Sequence, residues 1–126
     1  MLLSPGLAGH VELVVSEADT AVAMRSGEVP VLATPRLIAL CEEAACAAVA
    51  DAVAPGHTTV GMRVQLDHLA PSGIGDRVRA EATLEKIEGR RLVFTVSASD
   101  SGGLVGAGRL TRVIVEEERF LKRARH

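Results

Sequence analysis

One stretch of this chain carries a long helical pattern, and everything after it alternates with period two. The helical stretch begins at Thr34, which has the marks of an N-cap. Pro35 follows at the first helical position, where a missing N–H costs nothing, and Pro55-Gly56 stops the pattern after about Ala54. Ala44, Ala45, Ala47, Ala48 and Ala50 keep the helix slim, so a curved sheet can approach its backbone. Downstream, Val78, Ala80, Ala82 and Leu84 alternate with Arg77, Arg79, Glu81, Thr83 and Glu85, as a half-buried strand requires. Leu92, Phe94, Val96 and Ala98 repeat the pattern after the Glu88-Gly89 turn, and Asp100-Ser101-Gly102-Gly103 turns into a last strand over 104–115. Residues 9–15 read as a first strand and 20–24 as a short second one. Two strands, one long helix and about four antiparallel strands predict an α+β domain, its sheet solvated on one face and covered by the helix on the other.

Composition removes several function classes. The 126 residues suit one domain spanning 1–126, with a short charged tail. With 14 basic and 16 acidic residues the net charge is −2, which gives no footprint for nucleic acid. There is no Trp or Tyr, and only Phe94 and Phe120 supply rings, so a stacking platform for single strands is missing. No apolar run approaches the roughly 18–20 residues of a membrane span. Met1-Leu2-Leu3-Ser4-Pro5-Gly6 lacks a cationic leader, so a cytoplasmic location is expected. Cys41 and Cys46 lie about 140° apart on the helix and cannot bridge. Both read as buried small hydrophobes in a reducing compartment, and neither has metal-ligand spacing.

Polar residues on the inner faces are few. On a helical wheel Glu42 falls between Ile38, Ala45 and Val49, an apolar flank that disfavours its charged form and suits a general base. Glu43 falls beside Ala39, near Arg36, and has a cation on its own side. The alternative for Glu42 is a boundary carboxylate paired with an arginine on a neighbouring strand. His68 shares parity with Met62, Val64 and Leu66 and closes the inward row of its strand, where a satisfied boundary histidine is the bland reading. Gly61 opens that strand, either leaving room for a ligand or forming a bulge. Thr34 is explained by capping alone. Arg112 has two readings, a partner for a phosphate or carboxylate and a solvent-facing strand residue. His57 and His126 look incidental, and Lys122-Arg123-Ala124-Arg125 reads as a solvated tail that could also hold phosphates.

Together Val31-Leu32-Ala33-Thr34, Glu42 eight residues on, and Gly61-Met62-Arg63-Val64-Gln65-Leu66-Asp67-His68 resemble the fluoroacetyl-CoA thioesterase family of the hot-dog fold. The likeness continues through Glu88-Gly89-Arg90-Arg91-Leu92, Ser97-Ala98-Ser99-Asp100, Gly106-Ala107-Gly108, Arg112 and Glu118-Arg119-Phe120. It implies an antiparallel sheet wrapped around one long central helix, and hydrolysis of an acyl-CoA thioester by Thr34, Glu42 and His68. Gly61 is then the glycine near the acyl group and Arg112 an arginine linked to the same site. It implies a homodimer with active sites along the subunit interface, which would also cover a free edge strand. Coenzyme A enters as part of the substrate, and no cofactor or metal is expected.

In that reading Glu42 is the general base on water or attacks the carbonyl itself, and His68 orients it or protonates the departing thiolate. Thr34 and main-chain N–H groups steady the oxyanion. Members selective for the fluorinated acetyl group carry aromatic residues ahead of the threonine, whereas Gly27-Glu28-Val29-Pro30-Val31-Leu32 has no ring. Pro35 and Arg36 also depart from the family. A short or different acyl group is therefore expected. The rival readings are a non-catalytic acyl-CoA or small-ligand binding protein, a hot-dog dehydratase, whose loop motif is not seen, and a purely structural dimer.

Overall fold

Central helix and sheet meet through small residues. The computed structural model describes residues 3–125, so the readings of Met1, Leu2 and His126 lie outside the described residues. In chain order come β1 (Ala8–Val14), a 3-10 turn (Glu17–Asp19), α1 (Ala21–Met24), α2 (Thr34–Val49), β2 (His57–His68), β3 (Arg77–Glu88), β4 (Arg91–Asp100), β5 (Gly103–Glu116) and α3 (Glu117–Ala124). The five strands form one sheet in the order β1-β3-β4-β5-β2, with every pairing antiparallel. β1 and β2 are its edges.

Alternation along β3 places Val78, Ala80, Ala82 and Leu84 inside, as the period of two requires. Leu92, Phe94, Val96 and Ala98 do the same on β4. These rows close on Leu37, Leu40, Cys41, Ala44, Ala45 and Ala48 of α2. Each large side chain buried here contributes roughly 1.5–3 kcal/mol relative to exposure. α2 packs chiefly on β1 and β3 and only lightly on β2. At Gly9 a Cβ would stand 2.6 Å from the Ala44 carbonyl oxygen and collide with the Ala48 nitrogen, so β1 reaches the helix only as glycine against alanine. The inner face of β2 is left open, with Met62 and Val64 more than 40% exposed (43% and 41%).

Several expectations are corrected. Residues 20–24 do not form a strand. Thr20 caps α1, its Oγ1 accepting from the Ala23 N–H at 3.2 Å, and that local bond wins over the β-branched composition. α2 ends at Val49, several residues before Pro55, and the chain then turns toward Gly56, whose φ of +79° only glycine adopts freely. The charged tail is helical: α3 has Glu117 and Glu118 in its first turn and Lys122 and Arg123 in its last, matching the helix dipole. Of the two cysteines only Cys41 is buried, and burial pushes its thiol up to about 11, with the Glu42 charge adding to the shift. Cys46 is exposed, because two positions so far apart around one helix cannot both face the core. Among the described residues no helix is long and apolar enough to cross a membrane.

Candidate active site

Thr34 does not cap α2. Ala33 takes that position, and Thr34 begins the helix with its hydroxyl free for another partner. That partner is His68, with Thr34 Oγ1 and His68 Nδ1 2.8 Å apart. β2 ends at this imidazole, and His68 is partly buried. Burial pulls its pKa below the usual histidine value, with the Ala70 backbone offsetting part of the shift. Among the described residues His68 Nε2 is buried with no hydrogen-bond partner. The ring is thus held through Nδ1, and Nε2 is the nitrogen left without a partner. Beside the pair lies a groove of about 330 Å³ walled by Val29, Val31, Leu69 and Ala70.

A second cluster forms further along the same helix and strand. Arg112 of β5 donates from Nη1 to Glu42 Oε2 at 2.9 Å, from Nε to Thr59 Oγ1 at 3.0 Å, and from Nη2 to the Thr59 carbonyl at 2.9 Å. The guanidinium is buried, while the Glu42 side chain keeps 34% exposure. Three directed bonds fix the arginine, and the arginine fixes the carboxylate. This corrects the wholly apolar flank read from the wheel. A wheel shows only the helix's own neighbours, and the cation arrives from β5. The alternative reading of Glu42, a carboxylate paired with a strand arginine, is the arrangement the protein adopts.

Gly61 lies directly against this acid. A Cβ there would stand 2.7 Å from Glu42 Oε2 and 3.5 Å from Arg112 Nη1. The bulge reading of Gly61 holds, since the β2–β5 register shifts between Gly61 and Arg63, and the space its missing Cβ leaves is occupied by the Glu42 carboxylate. Glu43 points elsewhere and pairs with Arg36 at 3.4 Å, while Arg36 also binds Asp19 at 3.1 Å. His57 is exposed, its Nδ1 3.2 Å from the Pro55 carbonyl oxygen. Sequence reasoning missed Thr59, although its parity with Gly61 on β2 was a usable signal. Among the described residues no group of three or more His, Cys, Asp or Glu could hold a metal ion.

The two clusters stand apart within one copy. Thr34 and Glu42 are eight residues apart on a helix, about 12 Å at 1.5 Å per residue. Gly61 and His68 are seven apart on a strand, roughly 20 Å. One copy thus presents two separate clusters along the open inner edge of β2: a carboxylate held by a guanidinium, and a hydroxyl–imidazole pair beside an apolar groove.

Comparison with known proteins gives this arrangement a context. The family model described as fluoroacetyl-CoA-specific thioesterase matches residues 15–118. A fluoroacetyl-CoA thioesterase from Streptantibioticus cattleyicolor is 34% identical over 95 residues, covering 75% of this chain and 68% of the relative. A crystal structure of a variant of the fluoroacetyl-CoA-specific thioesterase FlK, in complex with fluoroacetate and CoA, superposes with a TM-score of 0.88. It shares 28% identity and covers 94% of this chain and 99% of that one. A hot-dog-like protein from Thermanaerovibrio acidaminovorans superposes at 0.87 with 29% identity, covering 95% and 89% of the two chains.

Proposed function

This chain belongs to the fluoroacetyl-CoA-specific thioesterase family and is a thioester hydrolase of the hot-dog fold, and from that premise we propose that it cleaves a small acyl-CoA thioester with Glu42, Thr34 and His68. The observation that carries the assignment is the Glu42 carboxylate, gripped by buried Arg112 beneath a glycine that leaves it uncovered.

Glu42 takes a proton from water as the water oxygen bonds to the thioester carbon, or bonds to that carbon itself and is released by water afterwards. The carbonyl electron pair moves onto oxygen, where the Thr34 hydroxyl and main-chain N–H groups beside Gly61 receive it. When the pair returns, the C–S bond breaks, and the thiolate takes a proton relayed through His68. A free acid and a thiol leave.

The half-sites join across two copies. β2 is an edge with exposed Met62 and Val64 on its inner face. Pairing two β2 strands antiparallel about a two-fold axis at Gln65 sets inner-face residues opposite inner-face residues. The Gly61–Met62 bulge then faces His68 of the partner subunit, and Glu42 meets the second copy's hydroxyl–imidazole pair. Aliphatic Val29, Val31 and Leu69, with no ring above them, suit a short acyl group without selectivity for fluorine.

The test is thiol release from a panel of acyl-CoA esters, short to aromatic. Wild type should turn over short members, and Glu42→Gln should lose at least about 10²-fold in kcat. Equal rates for the two proteins would remove Glu42 from the chemistry. Tight binding of acyl-CoA without turnover by wild type would instead leave a non-catalytic acyl-CoA binding protein. Sedimentation should give a dimer, and mixing Glu42→Gln with His68→Ala protomers should restore activity to one site in a heterodimer.

A further inference from the structure

One buried hydroxyl lies behind the Thr34–His68 pair and takes no part in the chemistry. Ser72, four residues beyond His68, is 0% exposed, and its Oγ donates to Asp100 Oδ2 at 2.8 Å. Asp100 closes β4 and takes the Gly102 N–H on its other carboxylate oxygen, also at 2.8 Å. A hydroxyl buried this far costs about 1–3 kcal/mol without an acceptor, and a charged acceptor is the stronger kind. The loop after β2 is thereby pinned to the turn between β4 and β5. Leu69, Ala70 and Pro71 carry no polar side chain, so Ser72 supplies the one side-chain bond in the stretch that leaves His68.

The same residue holds the approach to Thr34. Its carbonyl accepts the Leu32 N–H at 2.8 Å, and beside it Val31 and Gly73 form an antiparallel bridge. Leu32 is 1% exposed and stands two residues before Thr34. Side chain and main chain of Ser72 thus fasten to the end of β4 both the segment delivering the hydroxyl and the segment leaving the imidazole. These two segments meet in a side-chain hydrogen bond, the 2.8 Å between Thr34 Oγ1 and His68 Nδ1. Such a bond weakens beyond about 3.2 Å, so a displacement of either segment by about half an ångström is enough to loosen it.

We propose that Ser72 and Asp100 are positioning residues, whose bond holds Thr34 and His68 at hydrogen-bond distance for the hydrolysis. This rests on the roles given to Thr34 and His68 above and adds two residues that touch no reacting group.

Two readouts in Ser72→Ala test it: steady-state thiol release from a short acyl-CoA, and the nitrogen-15 resonances of the His68 ring. kcat should fall roughly tenfold with KM within about twofold of wild type, since a partial displacement costs less than the ~10²-fold of a full ångström. The His68 Nδ1 resonance should move toward that of a water-exposed ring, while the resonances of exposed His57 stay in place. Thr95→Ala removes a hydroxyl–carboxylate bond of the same chemistry, Oγ1 to Glu85 Oε2 at 2.6 Å on the exposed face, and should change neither readout. A His68 resonance at its wild-type position overturns the proposal whatever kcat does, and this readout needs no turnover. A displaced resonance with kcat at the wild-type value leaves the holding role standing and removes Thr34 and His68 from the chemistry instead. If Ser72→Ala does not fold, Ser72→Cys, similar in shape but a weak donor, is read in the same way.

Discussion

Adding one methyl group at Gly61 separates the chemistry of this site from its fold. Gly61 has an ordinary backbone conformation, so alanine brings no φ strain. Its Cβ would stand 2.7 Å from Glu42 Oε2, and ordinary contact begins at 3.4 Å, so the carboxylate must retreat by about 0.7 Å. A shift of that size strains the 2.9 Å bond from Arg112 Nη1 and moves the acid off its position. Misplacing a reacting group by nearly 1 Å costs on the order of 10²-fold in rate, equivalent to about 2.7 kcal/mol of barrier. The effect on stability is at most comparable. Overpacking costs roughly 1–3 kcal/mol, but the lost freedom of the unfolded chain returns about 0.4–1 kcal/mol. The net is roughly 0–2.6 kcal/mol, so a melting point lowered by at most about 10 °C, at about 4 °C per kcal/mol for this size, is expected beside a collapse of kcat/KM. Gly56→Ala is the control: its positive φ costs stability, nothing lies within 4 Å of the added carbon, and activity at permissive temperature should hold. Gly61→Ala with undiminished kcat/KM would refute the reasoning, because an acid that tolerates displacement is not positioned for attack.

Three further outcomes follow from the same structure. Burial holds the His68 pKa below its unfolded value, so the folded protein binds fewer protons there. Its stability contribution is complete above the unfolded imidazole value and declines as pH falls through it, and urea unfolding at stepwise pH should show a slope that His68→Gln flattens. Asp19 loses solvation on burial, which raises its pKa, but the Ser16 backbone and hydroxyl and the Arg36 guanidinium outweigh that and hold it below the usual carboxylate value. Asp19→Asn should cost about 1–3 kcal/mol in chemical denaturation at neutral pH, with the difference narrowing as acid protonates the wild-type carboxylate. Alkylation should modify Cys46 alone in the native protein and Cys41 only after denaturation, since Cys41 is buried with its thiol pushed up to about 11. Equal native labelling of both would contradict the packing of α2.

Much of the fold was legible because its signals are periodic. Residues 78–84 alternate so regularly that their burial on β3 could be read in advance, and the alanines of α2 announced the close approach that Gly9 completes. Legibility failed where one local hydrogen bond outweighs composition. Thr20 is β-branched and followed by Ala-Val-Ala, yet its side chain closes a helical turn instead of joining a strand. The same competition reversed the role of Thr34, which looked like a cap until the His68 ring took its hydroxyl. α2 stops at Val49 because helices need not run to the next proline.

The site was half legible for a different reason. Parity on β2 pointed His68 inward and the wheel separated Glu42 from Glu43, because each judgement concerns a single element. Arg112 could be listed as a partner for a carboxylate, but its destination depends on β5 lying beside β2 in a register that sets it opposite Gly61. Strand order is a tertiary fact that no window of residues contains. The same limit left open whether Glu42 and His68 meet within one copy or across a subunit boundary. By helix and strand rise the two stand well apart within one copy, and the two-fold proposed at the β2 edge would close that gap without moving either residue. A monomer with full activity would mean that the gap closes some other way, and the half-site geometry would then have to be abandoned.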